Sequence, residues 1–306
     1  MDWRCKALLQ LALSTIPRGE RLNHFFQRYV TRSLPISDTA FAATVSDAKR
    51  HIDAIHRYYN RPLDQAIIYE FGVGWDMTIP LAFYAFGVEE QILVDIRNLL
   101  RPHLVNDIIE KYQKMVSDLA FLRRPAKALN GGGSDLTALL EKQYGIDYRA
   151  PCDARQTGLK PCSIDCITST STLEHIPAAD IQSILRECHR ILRDDGLMSV
   201  LIDYDDHYSY FDTKVSGYNF LQYSDRMWAI FNPALHYQNR LRHRDYLKLF
   251  GSVGFDVLEE QRREGTEAEL ELIEQLSLAS RFKPYSLQDL AVHNSHIVVH
   301  KHTSKQ

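Results

Sequence analysis

The residues of this 306-residue chain best suited to chemistry begin with Ile67-Ile68-Tyr69-Glu70-Phe71-Gly72-Val73-Gly74-Trp75-Asp76. An apolar run ends in a carboxylate, two glycines follow one residue apart, and a helical pattern comes next. At the C-terminal edge of a parallel sheet such a turn holds a nucleotide-like cofactor, because glycine lets the backbone approach a ligand without a Cβ in the way. As a dinucleotide fingerprint the turn is incomplete: the third glycine would fall at Met77, which compromises the close helix–strand packing that docks a pyrophosphate. Read instead as an acid ahead of Gly-x-Gly, it suits a smaller cofactor without phosphate.

A second reactive group is Asp203-Tyr204-Asp205-Asp206-His207-Tyr208-Ser209-Tyr210, directly after the predicted strand Leu197–Ile202. It opens at the carboxyl end of a strand, where open α/β sheets bind ligands. It runs into an insertion, about 203–243, dense in aromatics such as Tyr218, Phe220, Tyr223, Trp228 and Phe231. Long loops are either functional or disordered, and aromatic richness argues against disorder. His207 is the first candidate for a general base, with Asp203 or Asp205 as its orienter or as the base itself; His236 and His175 are alternatives. Asp203, Asp205 and Asp206 also read as oxygen ligands for a divalent cation. On one loop they alternate in direction and cannot all converge, so no metal site is assigned. The basic run Arg240-Leu241-Arg242-His243-Arg244 reads as a solvated helix start that could contact an anionic acceptor.

These groups need elements to position them. Ile67–Phe71, Gln91–Asp95, Ile146–Tyr148, Ser163–Thr168 and Leu197–Ile202 read as strands, alternating with helices over 77–86, 99–122, 135–144 and 181–192, the last closed by Arg193-Asp194-Asp195-Gly196. Asn130–Ser134 reads as a flexible loop. Regular alternation predicts a right-handed, mostly parallel, three-layer α/β sandwich. The C-terminal part breaks the rhythm: helix 244–251, strand Phe255–Gln261, acidic helix 267–278 and a last strand His296–His300 without a crossover. Ahead of the first strand, short helices over the first seventeen residues and over 21–30, and a longer one capped by Ser37-Asp38 and running to Tyr59, predict a helical cap over residues 1–62. The remainder, 63–306, forms the main domain. Asp2 and Gln10 spoil a signal-peptide reading of the N-terminus. Its first helix is expected to pack on the domain, and an interfacial membrane anchor is the alternative.

Composition narrows the partners. The chain is 45% hydrophobic and 25% charged, with a net charge of −3, so nothing pulls it toward nucleic acid. Five cysteines without paired Cys-x-x-Cys spacing predict reduced thiols in a cytoplasmic protein. No stretch approaches the ~20 apolar residues that span a bilayer.

Several motifs in order resemble class I S-adenosylmethionine-dependent methyltransferases, over about residues 64–301. Glu70–Gly74 is similar to that family's first motif, and Asp95 to its ribose-binding acid. Cys152-Asp153-Ala154 falls at its adenine contacts, and Ser163–Thr168 with Leu173-Glu174-His175-Ile176 at its fourth-strand motif. Leu185–Leu192 followed by Asp195-Gly196-Leu197 resembles the helix and turn before its fifth strand, and Gly254-Phe255-Asp256-Val257 the start of its sixth. The resemblance implies a Rossmann-like, seven-stranded sheet with an antiparallel last strand, and S-adenosyl-L-methionine as cofactor. It further implies contacts from Glu70, Gly72, Gly74, Trp75, Asp95, Asp153, Ala154 and Thr170. Asp95 would accept both ribose hydroxyls, Glu70 would lie near the methionine end, Asp153 would take the adenine amino group and Ala154 would offer its N–H. Trp75 and Asp76 would line the methionine tail.

The expected activity is O-methylation of a small molecule or sugar. An NAD(P)-dependent oxidoreductase would need a complete phosphate-binding glycine loop, which is not there. A non-catalytic binding subunit would have lost the cofactor residues, which are present. After the fourth strand Ser169-Thr170-Ser171-Thr172 replaces the Pro-Pro motif of base-amino methylases, so nucleic acid is not the expected acceptor.

Overall fold

The computed structural model describes residues 2–14, 34–116, 119–129 and 134–302. The helix expected over 21–30 lies outside the described residues, as does most of the loop expected at 130–134. Seven strands form one sheet: β1 (Ile67–Phe71), β2 (Glu90–Val94), β3 (Ile146–Arg149), β4 (Ile164–Thr170), β5 (Leu192–Asp203), β6 (Phe255–Arg263) and β7 (Asn294–Lys301), in the order β3-β2-β1-β4-β5-β7-β6. The first five pair in parallel, whereas β7 runs antiparallel to both β5 and β6. The unpaired rhythm at the end of the sequence is therefore a reversed strand inserted between two others.

Both faces of the sheet are covered, which is why β1 and β4 are buried along almost their whole length. On one face pack α2 (Asp38–Tyr58), α3 (Thr78–Phe86), α4 (Pro102–Lys114) and α5 (Ser134–Tyr144), with Val45, Ile52, Phe83, Ile108 and Leu140 in a common core. Ser37 caps α2 by accepting a hydrogen bond from the Ala40 N–H at 3.1 Å. On the other face α6 (Ala178–Ile191) and α8 (His243–Ser252) bury Ile181, Leu185, Tyr246 and Phe250 against Ile167 and Met198. This is the Rossmann-like three-layer sandwich.

Residues 193–196 depart from the expected helix-closing turn. Ile164 pairs with Leu192 and Cys166 with Leu197, so the four residues between bulge out within β5. Asp194 and Asp195 point from this bulge to Lys301 (3.0 Å) and Arg61 (2.6 Å).

A third, smaller core lies beyond the carboxyl ends of the strands. It joins α1 (Trp3–Ser14) and the aromatic insertion, including α7 (Asp225–Phe231), to α9 (Glu267–Glu274) and α10 (Leu287–Ala291) from the connection between β6 and β7. Trp3 packs its ring 5.2 Å from Tyr208 and 4.9 Å from Phe231. So α1 sits on the insertion, while α2 covers the sheet.

The basic run 240–244 is largely buried rather than solvated. Arg242 is 0% exposed and donates to the carbonyls of Tyr204 (2.6 Å), Leu290 (2.7 Å) and Val292 (2.6 Å). Arg240 donates to the carbonyls of Phe220 and Tyr223 at 3.0 and 2.7 Å and pairs with Asp225. Both guanidiniums satisfy carbonyls that irregular backbone leaves without ladder partners, tying the insertion to the sheet. Replacing Arg242 by Met should orphan three carbonyls and lower unfolding free energy by about 3 kcal/mol or more, measured by urea denaturation. A loss under about 1 kcal/mol would show that these bonds do not hold the insertion.

Candidate active site

A cavity of about 530 Å³ opens at the carboxyl ends of β1, β2 and β4. Its floor is the glycine turn. Gly72 and Gly74 have φ of +79° and +78°, values that favour glycine. A Cβ on Gly72 would fall 2.2 Å from Thr172 Cγ2, whereas beside Gly74 there is open space with nothing within 4 Å. Gly72 therefore permits close packing of two loops, and Gly74 leaves room for a ligand.

Asp95 stands at the cavity wall, 8% exposed. Its Oδ2 accepts the Gly74 N–H at 3.2 Å and its Oδ1 the Arg97 N–H at 2.9 Å, so its orientation is fixed by backbone. Cys152, Asp153 and Ala154 line the cavity beside it, and the Cys152 N–H donates to the Asp95 carbonyl at 2.8 Å. The Asp153 carboxylate is forked by Arg155, which holds its pKa below the usual carboxylate value. Trp75 also lines the cavity, with the Arg101 guanidinium 5.7 Å from its ring centroid. A carboxylate held by backbone N–H groups, open space beside Gly74 and a cavity of this volume fit an adenosyl group.

Three residues lie elsewhere. Thr170 is outside the cavity wall, its hydroxyl 3.1 Å from His51 Nε2; the next two residues, Ser171 and Thr172, face the cavity instead. Asp76 accepts from the N–H and hydroxyl of Thr78 at the start of α3 and does not line the cavity. Glu70 is 2% exposed behind the wall, with no hydrogen-bond partner for Oε2, and burial pushes its carboxyl up to about 8.

The second group gathers at the rim formed by the turn 173–175 and the loop after β5. His175 walls the cavity, and its ring lies 4.9 Å from that of His207. His207 Nε2 is 3.2 Å from Asp203 Oδ2, close enough for an ion pair but off the line of an aligned hydrogen bond. Tyr210 stacks on His207 and donates its hydroxyl to Asp203. Burial pushes the Asp203 carboxyl up, yet His207 and Tyr210 outweigh it and hold the group below its ordinary value. Asp205 is not part of this group: it turns away to His293 Nδ1, at 2.8 Å, and holds that imidazole's pKa up. His236 stands 6.2 Å from His207, ring to ring.

Reading the sequence missed the groups that hold the rim. The Asn239 side-chain amide donates to the carbonyls of Leu173 and Ile176, each at 2.8 Å, and its N–H donates to the Glu174 carbonyl at 2.8 Å. Gln238 Nε2 donates to the Asp205 carbonyl at 2.6 Å, while its Oε1 accepts the His207 N–H at 3.4 Å. Glu174 is buried beside His175 with neither oxygen hydrogen-bonded, and burial raises its pKa well above the usual range. The adjacent acid and imidazole directly after β4 were the available signal.

A protein-family model described as "Methyltransferase domain" matches residues 134–200, the stretch from α5 into β5. No curated protein matches the chain. Among solved structures, the chain is similar to an S-adenosylmethionine-dependent methyltransferase from Methanosarcina mazei, at 12% identity over 82% of this chain and 98% of the other, with a TM-score of 0.46. It is also similar to geranyl diphosphate C-methyltransferase from Streptomyces coelicolor A3(2), at 11% identity over 88% and 86% of the two chains, with a TM-score of 0.47. The matched methyltransferase domain lies on a seven-stranded sheet whose reversed last strand sits between β5 and β6, the arrangement that the resemblance to class I S-adenosylmethionine-dependent methyltransferases implies.

Proposed function

We propose that the enzyme methylates an oxygen of a small molecule or sugar that enters from the rim formed by the insertion. The observation that carries this reading is the cluster of His175, His207, Asp203 and Tyr210 beside the cofactor cavity. In this reading Asp95 takes the ribose hydroxyls and Asp153 and Ala154 the adenine. Gly72, Gly74 and Trp75 shape the path of the methionine moiety, with Glu70 behind it as a buried acid that a nearby cation would help to ionise. The aromatic insertion over about 203–243 offers ring faces with polar tips, which suit a sugar or a phenol.

S-adenosylmethionine supplies an electrophilic methyl on a sulfonium, which departs as a neutral thioether. An acceptor oxygen that forms the new bond must give up its proton, and the S–C pair stays on sulfur. Alignment can supply roughly 7–11 kcal/mol of the barrier, and a positioned proton acceptor about 10²–10⁴-fold more. An amine or thiol needs much less of the second effect, so an acid–imidazole cluster at the rim favours a hydroxyl. Asp203, held ionised, keeps His207 oriented; Asp205 and Thr170 take no direct part in this reading.

Replacing Asp95 by Ala should weaken S-adenosylhomocysteine binding tenfold or more by calorimetry, through loss of a charged contact to two hydroxyls. Affinity unchanged within twofold would remove Asp95 from the cofactor site. In an acceptor screen over sugars and phenols, with the product identified by mass and NMR, His207→Ala should lower kcat about 10²–10⁴-fold while S-adenosylhomocysteine affinity holds. Unchanged turnover, or a methyl found on nitrogen or carbon, would contradict the oxygen assignment.

A further inference from the structure

We propose that Glu174, His175 and His207 bind one first-row divalent cation at the rim of the cofactor cavity. Each offers a ligand atom, and the three atoms lie within 4.8 Å of one another. Bonds of about 2.0–2.2 Å to nitrogen and carboxylate oxygen place tetrahedral ligand atoms roughly 3.4 Å apart, so small side-chain rotations close the set.

Independent observations point to the cation. Glu174 is 2% exposed, and neither of its oxygens has a hydrogen-bond partner among the described residues. Buried carboxyls are ordinarily hydrogen-bonded, paired or bound to a metal, and a group missing all three needs a cause. His207 Nε2 lies 3.2 Å from Asp203 Oδ2 without an aligned hydrogen bond to it. His175 Nδ1 meets the Tyr237 carbonyl at 2.8 Å, which fixes the proton on Nδ1 and leaves the Nε2 lone pair available. A ring N–H held by a carbonyl is the usual support behind a metal-binding imidazole. The turn carrying Glu174 and His175 is held by Asn239, so two of the ligands are fixed in place before any ion arrives.

The donor set selects the ion. Two imidazoles and one carboxylate suit Zn²⁺, Co²⁺, Fe²⁺ or Mn²⁺, whereas Ca²⁺ and Mg²⁺ prefer oxygen shells. Three protein ligands leave a position open, as catalytic metal sites do. The acidic loop considered from sequence does not compete: Asp205 is turned to His293, and Asp206 caps the following turn through the Tyr208 N–H at 2.9 Å. His175 belongs both to this set and to the cofactor cavity wall, so the open position adjoins the cofactor. There the ion would bind the acceptor hydroxyl and lower its pKa. With His207 holding the ion in place of acting as the proton acceptor, the O–H proton leaves to water, the oxygen bonds to the methyl carbon, and the S–C pair remains on sulfur. That role rests on the oxygen-acceptor reading; the binding of the ion does not.

Chelator-treated full-length protein titrated with Co²⁺ tests the site without turnover. The expected result is one tight equivalent per chain with visible d–d absorption. Glu174→Gln and His175→Ala should each lose more affinity than the 10–100-fold that loss of an outer partner costs. Circular dichroism on both variants, and retained S-adenosylhomocysteine binding by Glu174→Gln, show that the fold is intact. His175→Ala alters a cavity-wall side chain outside the buried core, so it serves should Glu174→Gln fail to fold. No Co²⁺ binding by folded wild type below about millimolar, or unchanged binding in either folded variant, would overturn the proposal. Failure here leaves oxygen methylation through His207 standing, and a methyl found on nitrogen would leave the metal site standing.

Discussion

Two consecutive side chains couple the two halves of the site. The Asn239 amide bridges the carbonyls of Leu173 and Ile176, while the neighbouring Gln238 bridges the carbonyl of Asp205 and the N–H of His207. Loops leaving adjacent parallel strands have no ladder of their own, so their backbone groups must find partners elsewhere. Here the insertion supplies both sets from two consecutive residues, fixing the turn that carries Glu174 and His175 against the loop that carries His207. The insertion is in turn anchored by Arg240 and Arg242 and by the third apolar core, in which Trp3, Phe220 and Leu290 meet. Elements distant in sequence thus converge on the spacing of a few imidazoles.

The electrostatics divide in a similar way. Asp95 is satisfied by two backbone N–H groups and is ready to accept from a ligand. Glu70 and Glu174 are buried acids with unpartnered oxygens, one behind the glycine turn and one at the rim, and burial raises the pKa of both. Such groups cost stability unless a positive partner arrives. The sulfonium and ammonium of the proposed cofactor and the divalent cation proposed at the rim would be partners of the right sign. The two acids therefore leave the site under-neutralised on its own.

Much of the sheet was readable because buried parallel strands are plain apolar runs ended by turn residues. Gly72, Gly74, Asp95, Asp153 and Ala154 all reach one cavity, since their order along a doubly wound sheet brings strand ends together. Side-chain direction was less readable. Thr170 and its neighbours differ by one residue, and a one-residue shift exchanges the faces, so the hydroxyl expected in the cavity meets His51 instead. Asp203 and Asp205 flank the strand end, where regular alternation stops, and only His293, 88 residues later, shows which one is drawn away. The burial of Arg240 and Arg242 was hidden for the same reason: their partners are backbone carbonyls, which leave no mark in a sequence.

Hydrogen–deuterium exchange on wild type and Asn239→Ala tests most directly whether this amide holds the site together. The account predicts faster exchange over residues 171–177 and 204–210 in the variant, with β1 and β4 as protected as before and S-adenosylhomocysteine still bound. Unchanged protection in both loops would contradict it.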